Sequence, residues 1–164
     1  MRKLALALIA ALPLAAVAKN NPDESFFHKA AEAGHAEVAA GRIAEKKAQS
    51  PAVKAFAERM VKDHTATNDT LGKLANSKGV PLPTGPSSAQ KAMNKNLEKK
   101  SGDSFDQDYV QGQIKAHEDT VKLLQNEMAE GKDADAKAFA GETLPKVKAH
   151  LEKIRQIAAD AGVK

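Results

Sequence analysis

The chain has 164 residues, with 25 Lys and Arg against 21 Asp and Glu, a formal charge of +4 at pH 7, one tyrosine and no tryptophan or cysteine. The missing cysteines exclude disulfides, thiolate metal ligands and a lipid-modified cysteine. Interspersed charges and few aromatics argue against nucleic acid as a partner.

Taken from the N-terminus, Arg2 and Lys3 precede an apolar run from Leu4 to Val17, interrupted only by Pro13, and Ala16-Val17-Ala18 follows the small-x-small pattern of a signal-peptidase site. Residues 1–18 therefore read as a signal peptide cut before Lys19, which makes the protein exported, periplasmic or secreted. The run is short of the roughly 20 apolar residues that a membrane span needs. What remains, 19–164, is one domain of 146 residues (164 less 18) with a charge of +2 once Arg2 and Lys3 are removed. It carries no further apolar run long enough to span a bilayer.

Four long helical segments follow, separated by stop signals. The first runs from about Pro22 to Ala48, with the proline in its first turn. Ser50-Pro51 reads as an N-cap and first helical position, opening a second helix that ends at Gly79. Val80 to Ser87, with three prolines and a glycine, is a loop. A short helix occupies Ser88 to Lys100 and stops at Ser101-Gly102. Asp103 is the expected cap of a third long helix ending at Gly131, and Asp133 that of a fourth reaching about Ala161. Pro145 either divides this last helix or kinks it just before His150.

Loop lengths suggest the topology. Two- or three-residue links make the first and second helices, and likewise the third and fourth, antiparallel hairpins. A 26-residue helix is roughly 39 Å long. The connection from Val80 to Asp103 reaches roughly 55 Å, enough to cross the whole length. The expected fold is thus all-α: a ferritin-like four-helix bundle of two antiparallel hairpins, joined by a long crossover that contains a short helix. An up-down bundle with a decorated loop is the alternative.

Projected at about 100° per residue, each long helix carries one polar residue within its apolar stripe. Glu37 sits among Phe26, Ala30, Ala33, Gly41 and Ala44. His64 lies among Val53, Ala57, Met60, Leu71 and Ala75. Val110, Val121, Leu124 and Met128 surround His117, and Phe139, Thr143, Ile154 and Ile157 surround His150. His28 and His35 project outward. Measured from the tight turns, Glu37 and His64 lie roughly 19 and 22 Å along the first hairpin, and His117 and His150 roughly 22 and 27 Å along the second. All four thus fall near mid-bundle.

A buried carboxylate and three unpaired imidazoles are costly. One divalent transition metal would relieve that cost, and three neutral imidazoles with a carboxylate suit zinc, iron, manganese or copper. Glu37, His64, His117 and His150 are therefore the candidate ligands. The alternative is a metal-free network in which Glu37 accepts hydrogen bonds from protonated histidines. Asp63 and Glu118, neighbours of His64 and His117, are candidates to orient an imidazole on an adjacent helix, and Tyr109 lies on the flank of its stripe.

The pieces MVKDH, FDQDYV with the following AH, LPKVKAHL and AEV, carrying Asp63, His64, His117, His150 and Glu37, resemble the bacterial family called domain of unknown function 4142. The likeness runs from about Asp23 to Ile157 and implies a ferritin-like fold. Members are often labelled outer membrane proteins, yet no alternating barrel strands occur here. Di-iron ferritins place a glutamate three residues before each histidine. In this chain those positions hold Val61 and Val147, so a mononuclear, histidine-rich site is the variant expected. Two functions follow: an exported module that binds a metal ion, or a non-catalytic envelope or stress-related interaction module with a structural polar network. Redox or hydrolytic chemistry would need an open coordination position.

Overall fold

A computed structural model describes residues 21–163. The signal segment 1–18 and the cut before Lys19 lie outside these residues. Among the described residues there are five helices and no strand: α1 (Glu24–Lys47), α2 (Pro51–Ser77), α3 (Ser88–Glu98), α4 (Gly102–Glu130) and α5 (Ala134–Asp160).

Local chemistry accounts for most helix ends. Ser50 accepts from the Val53 amide with Pro51 at the first helical position, and Asp133 accepts from the amides of Asp135 and Ala136, filling orphan donors of each first turn. Ser87 and Gln90 close a capping box on α3,. At the end of α2, Gly79 takes φ +67, its amide bonds Asn76, and that of Val80 reaches back to Ala75. This Schellman closure buries Val80, which loop chemistry alone did not foretell.

Two helix starts differ from the sequence expectation, and Pro145 does not divide its helix. Pro22 precedes α1, whose N-cap is Asp23; that carboxylate instead accepts from the amides of Lys132 and Asp133. Ser101 rather than Asp103 occupies the cap of α4, leaving Asp103 in the first turn, where its charge still favours the helix dipole. The last helix runs unbroken through Pro145.

Two hydrophobic clusters show how the helices run. One joins Ala40 and Ala44 of α1, Val53 to Met60 of α2, Phe105 to Val110 of α4 and Leu151 to Ala158 of α5. The other joins Phe26 to Ala31, Leu71 to Ala75, Leu124, and Ala136 to Val147. Thus α1 and α5 run one way, and α2 and α4 the other. Residues 78–101, including α3, pass from one cluster's end to the other's, and α3 packs on α1 and α4.

Glycine permits close approach beside this midpoint. A Cβ on Gly41 would lie 2.7 Å from the Val61 side chain and 3.1 Å from the Ala57 carbonyl oxygen, so α1 and α2 approach there without an intervening side chain. Both clusters leave a polar layer between them, and the candidate residues lie in it.

Candidate metal centre

His64, His117 and His150 come from α2, α4 and α5, and all three are buried. Their ring centroids form a near-equilateral triangle with sides of 5.7, 5.5 and 5.6 Å. One ring nitrogen from each lies within 4.8 Å of the other two.

Hydrogen bonds set two of the tautomers. His117 Nδ1 is 2.8 Å from the Gln113 carbonyl oxygen; that oxygen can only accept, so Nδ1 carries the proton and Nε2 a lone pair. His150 Nε2 is 2.9 Å from Asp63 Oδ2, which leaves the lone pair on Nδ1 by the same argument. His117 Nε2, His150 Nδ1 and His64 Nε2 are all buried without a hydrogen-bond partner.

Burial disfavours a charge on two of these rings, His64 and His150. Burial lowers His64 to about 4, only partly countered by the Glu37 charge, and the adjoining His117 and His150 lower it further. Burial also lowers His150, although its bond to Asp63 pulls the other way. On Asp63, burial is outweighed by bonds to His150 and Arg59, and the carboxyl sits below its usual range. Arg59, 3.2 Å from Asp63, completes a chain from surface to imidazole.

The other candidates separate here. Glu37 is buried with Oε2 unpartnered and lines a cavity of about 40 Å³ with His64 and His150, yet it stands outside the three-nitrogen group. Asp63 orients an imidazole on a neighbouring helix. Glu118 does not: its carboxylate bonds Arg155 at 2.6 Å on the surface. His28 bonds the Pro81 carbonyl away from the centre, and Met128, expected on the inner stripe of α4, is exposed.

Gln113 was missed. It is buried one turn before His117, supplies the carbonyl that fixes that ring, and has its own Oε1 unpartnered. Its spacing put it near the His117 stripe, but an amide gave no reason to prefer it over the apolar positions.

The residues present fit a metal ion. Three buried imidazoles, each with an unpartnered ring nitrogen, are the donor set that zinc and copper accept, and the outer bonds of His117 and His150 are those that hold ligating histidines in place. The cavity can take a water-sized occupant. A bound ion would act as a Lewis acid toward any group filling a remaining coordination position.

A model of the family described as domain of unknown function DUF4142 matches residues 10–157. The chain belongs to that family. No match is found among curated proteins. Among solved structures, a DUF305 fragment from Deinococcus radiodurans superposes with a TM-score of 0.75 at 10% identity, over 85% of this chain and 97% of that one. CopM matches in its Cu(I)-bound form with a TM-score of 0.70 at 15% identity, and in its Cu(II)-bound form with 0.70 at 16%. Each match covers 84% of this chain and 96% of CopM. At such identities the likeness is one of fold. No described helix is long and apolar enough to cross a membrane.

Proposed function

We propose that this DUF4142 protein is an exported, ferritin-like four-helix-bundle module that binds one transition-metal ion through His64, His117 and His150. The observation that carries the reading is the set of three buried nitrogens, one per helix, that converge without hydrogen-bond partners. A closed structural network would have paired them, since an unpartnered buried polar atom costs about 1–3 kcal/mol. Glu37 stands beside the cavity as a source of negative charge and a candidate fourth ligand. Imidazole donors suit copper, zinc and iron alike. Copper is the first metal to test, because a protein of similar fold has structures named for bound Cu(I) and Cu(II). The ferritin-like assignment rests on the two hairpins and the full-length crossover. Export rests on the N-terminal pattern of residues 1–18.

The test is thermal unfolding of untagged, chelator-treated protein with and without copper, zinc, iron(II) or manganese at pH 7.5. A ligand at a hundred times its dissociation constant adds roughly 2.7 kcal/mol, a shift easily measured in a domain of this size. His64→Leu should abolish the gain and His35→Gln should leave it intact. If no metal moves the melting curve of the unsubstituted protein, the reading fails.

A further inference from the structure

A second concavity is also lined by Glu37. Between α1, α3 and α4 the structure holds a groove of about 880 Å³, within the size range of small-molecule sites. Although α3 touches α1 through Asn94 and the core through Leu97, none of its residues is buried, and Met93, which lines the groove, is 59% exposed. Below α3 the lining includes small residues, Ala33, Ala36 and Ala40 of α1 with Gly112 and Ala116 of α4.

The floor is polar. Glu37, Tyr109 and Gln113 all line the groove, are at least 95% buried, and carry Oε2, the phenol oxygen and Oε1 without hydrogen-bond partners. Two of these atoms can only accept a hydrogen bond, and the third is a hydroxyl. Burial and the nearby Glu37 charge push Tyr109 well above its ordinary range, so it stays a neutral phenol. The vacant demand is therefore for donors and positive charge beneath apolar walls. A bare ion would need only a fraction of that space.

We propose that this groove binds a small organic amine, its ammonium group on Glu37, Tyr109 and Gln113 and its apolar body beneath α3. The groove shares Glu37 with the cavity beside the histidine triangle, so its occupancy is tested on protein freed of metal. At the rim Lys115 pairs with Asp119, and Asp108 pairs with Lys100 just outside the groove; Lys29 and Lys122 also line it, so the preference for an amine rests on the buried carboxylate beneath them.

The test is titration of chelator-treated protein with n-octylamine, 1-octanol and octanoate at pH 7.5, followed by calorimetry and by amide NMR shifts. The amine should bind one to one, shift the Tyr109, Gly112 and Gln113 amides, and bind at least about tenfold more tightly than the alcohol or the acid, as a hydrogen-bonded charge implies. Glu37→Gln should lose that preference. A Cβ on Gly112 meets nothing within 4 Å, so Gly112→Phe should fold normally and block the groove. His64→Leu, which removes a metal ligand, should bind the amine as before. Absence of amine binding, equal affinity for all three probes, or unchanged binding in Glu37→Gln or Gly112→Phe would overturn the proposal, whatever the protein's response to metals.

Discussion

Asp63 and Glu127 show how far a single side chain's surroundings decide its part. Asp63 holds the proton-bearing Nε2 of His150 and thereby turns Nδ1 inward. Loss of such an orienting carboxylate typically weakens metal binding about ten- to hundredfold. Asp63→Ala should do so in competition titrations while leaving the fold intact; unchanged affinity would remove Asp63 from the site. Glu127 titrates for a different reason. Burial, the Asp23 charge and a hydrogen bond to Asp23 push it from 4.5 to about 7, with Asp133 adding to the rise and Lys137 opposing it. The folded chain thus keeps a proton that an unfolded glutamate has released, so this group's stabilisation is full below about pH 4.5 and is lost as pH rises through about 7. Glu127→Gln should raise the melting temperature relative to the parent at pH 8 but hardly at pH 5, and an equal effect at both pH values would refute the assignment. The histidines were legible in the sequence because an imidazole on an apolar stripe is conspicuous. Glu127 and Asp23 were not, since their partners are residues at the other end of the chain and periodicity within one helix carries no record of them.

At the scale of the element, helix identity and most stops follow from local chemistry, so α2, α3 and α5 begin where the caps of Ser50, Ser87 and Asp133 put them. The exceptions are ends recruited for tertiary contacts: the Asp23 carboxylate serves the α4–α5 turn, and that of Asp106 serves the amides of Gln49 and Ser50. Helix spacing is a further property invisible to propensity. Gly41→Ala places a methyl against a backbone carbonyl, which should cost about 1–3 kcal/mol as overpacking. Gly72 is also mid-helix but has nothing within 4 Å of its would-be Cβ. Gly72→Ala should therefore stabilise by about 0.5–1 kcal/mol through helix propensity alone. Urea melts of the two variants measure this, and the argument fails if both shift the same way.

For the whole molecule, the direction of each long helix was readable because short turns leave a chain no choice and the long segment has the reach to cross. How far α3 would stand from its neighbours was not, since an amphipathic pattern states which face turns inward and says nothing of how closely it docks. The proposed export rests on the sequence of the first residues, and mass spectrometry of protein from its native envelope should find Lys19 at the N-terminus; a retained Met1 on the exported form would mean an anchor instead. The histidine triangle bears on folding kinetics too. Its corners lie on three helices drawn from both hairpins, 53 residues apart from 64 to 117 and 33 apart from 117 to 150. An ion held there would close both loops, as a cross-link does in secreted domains that have cysteines, but one that comes away with a chelator. In a chain with no cysteine, the supply of that ion would then govern how long each folded molecule lasts before its hairpins part, making metal scarcity a clock on the protein's own lifetime.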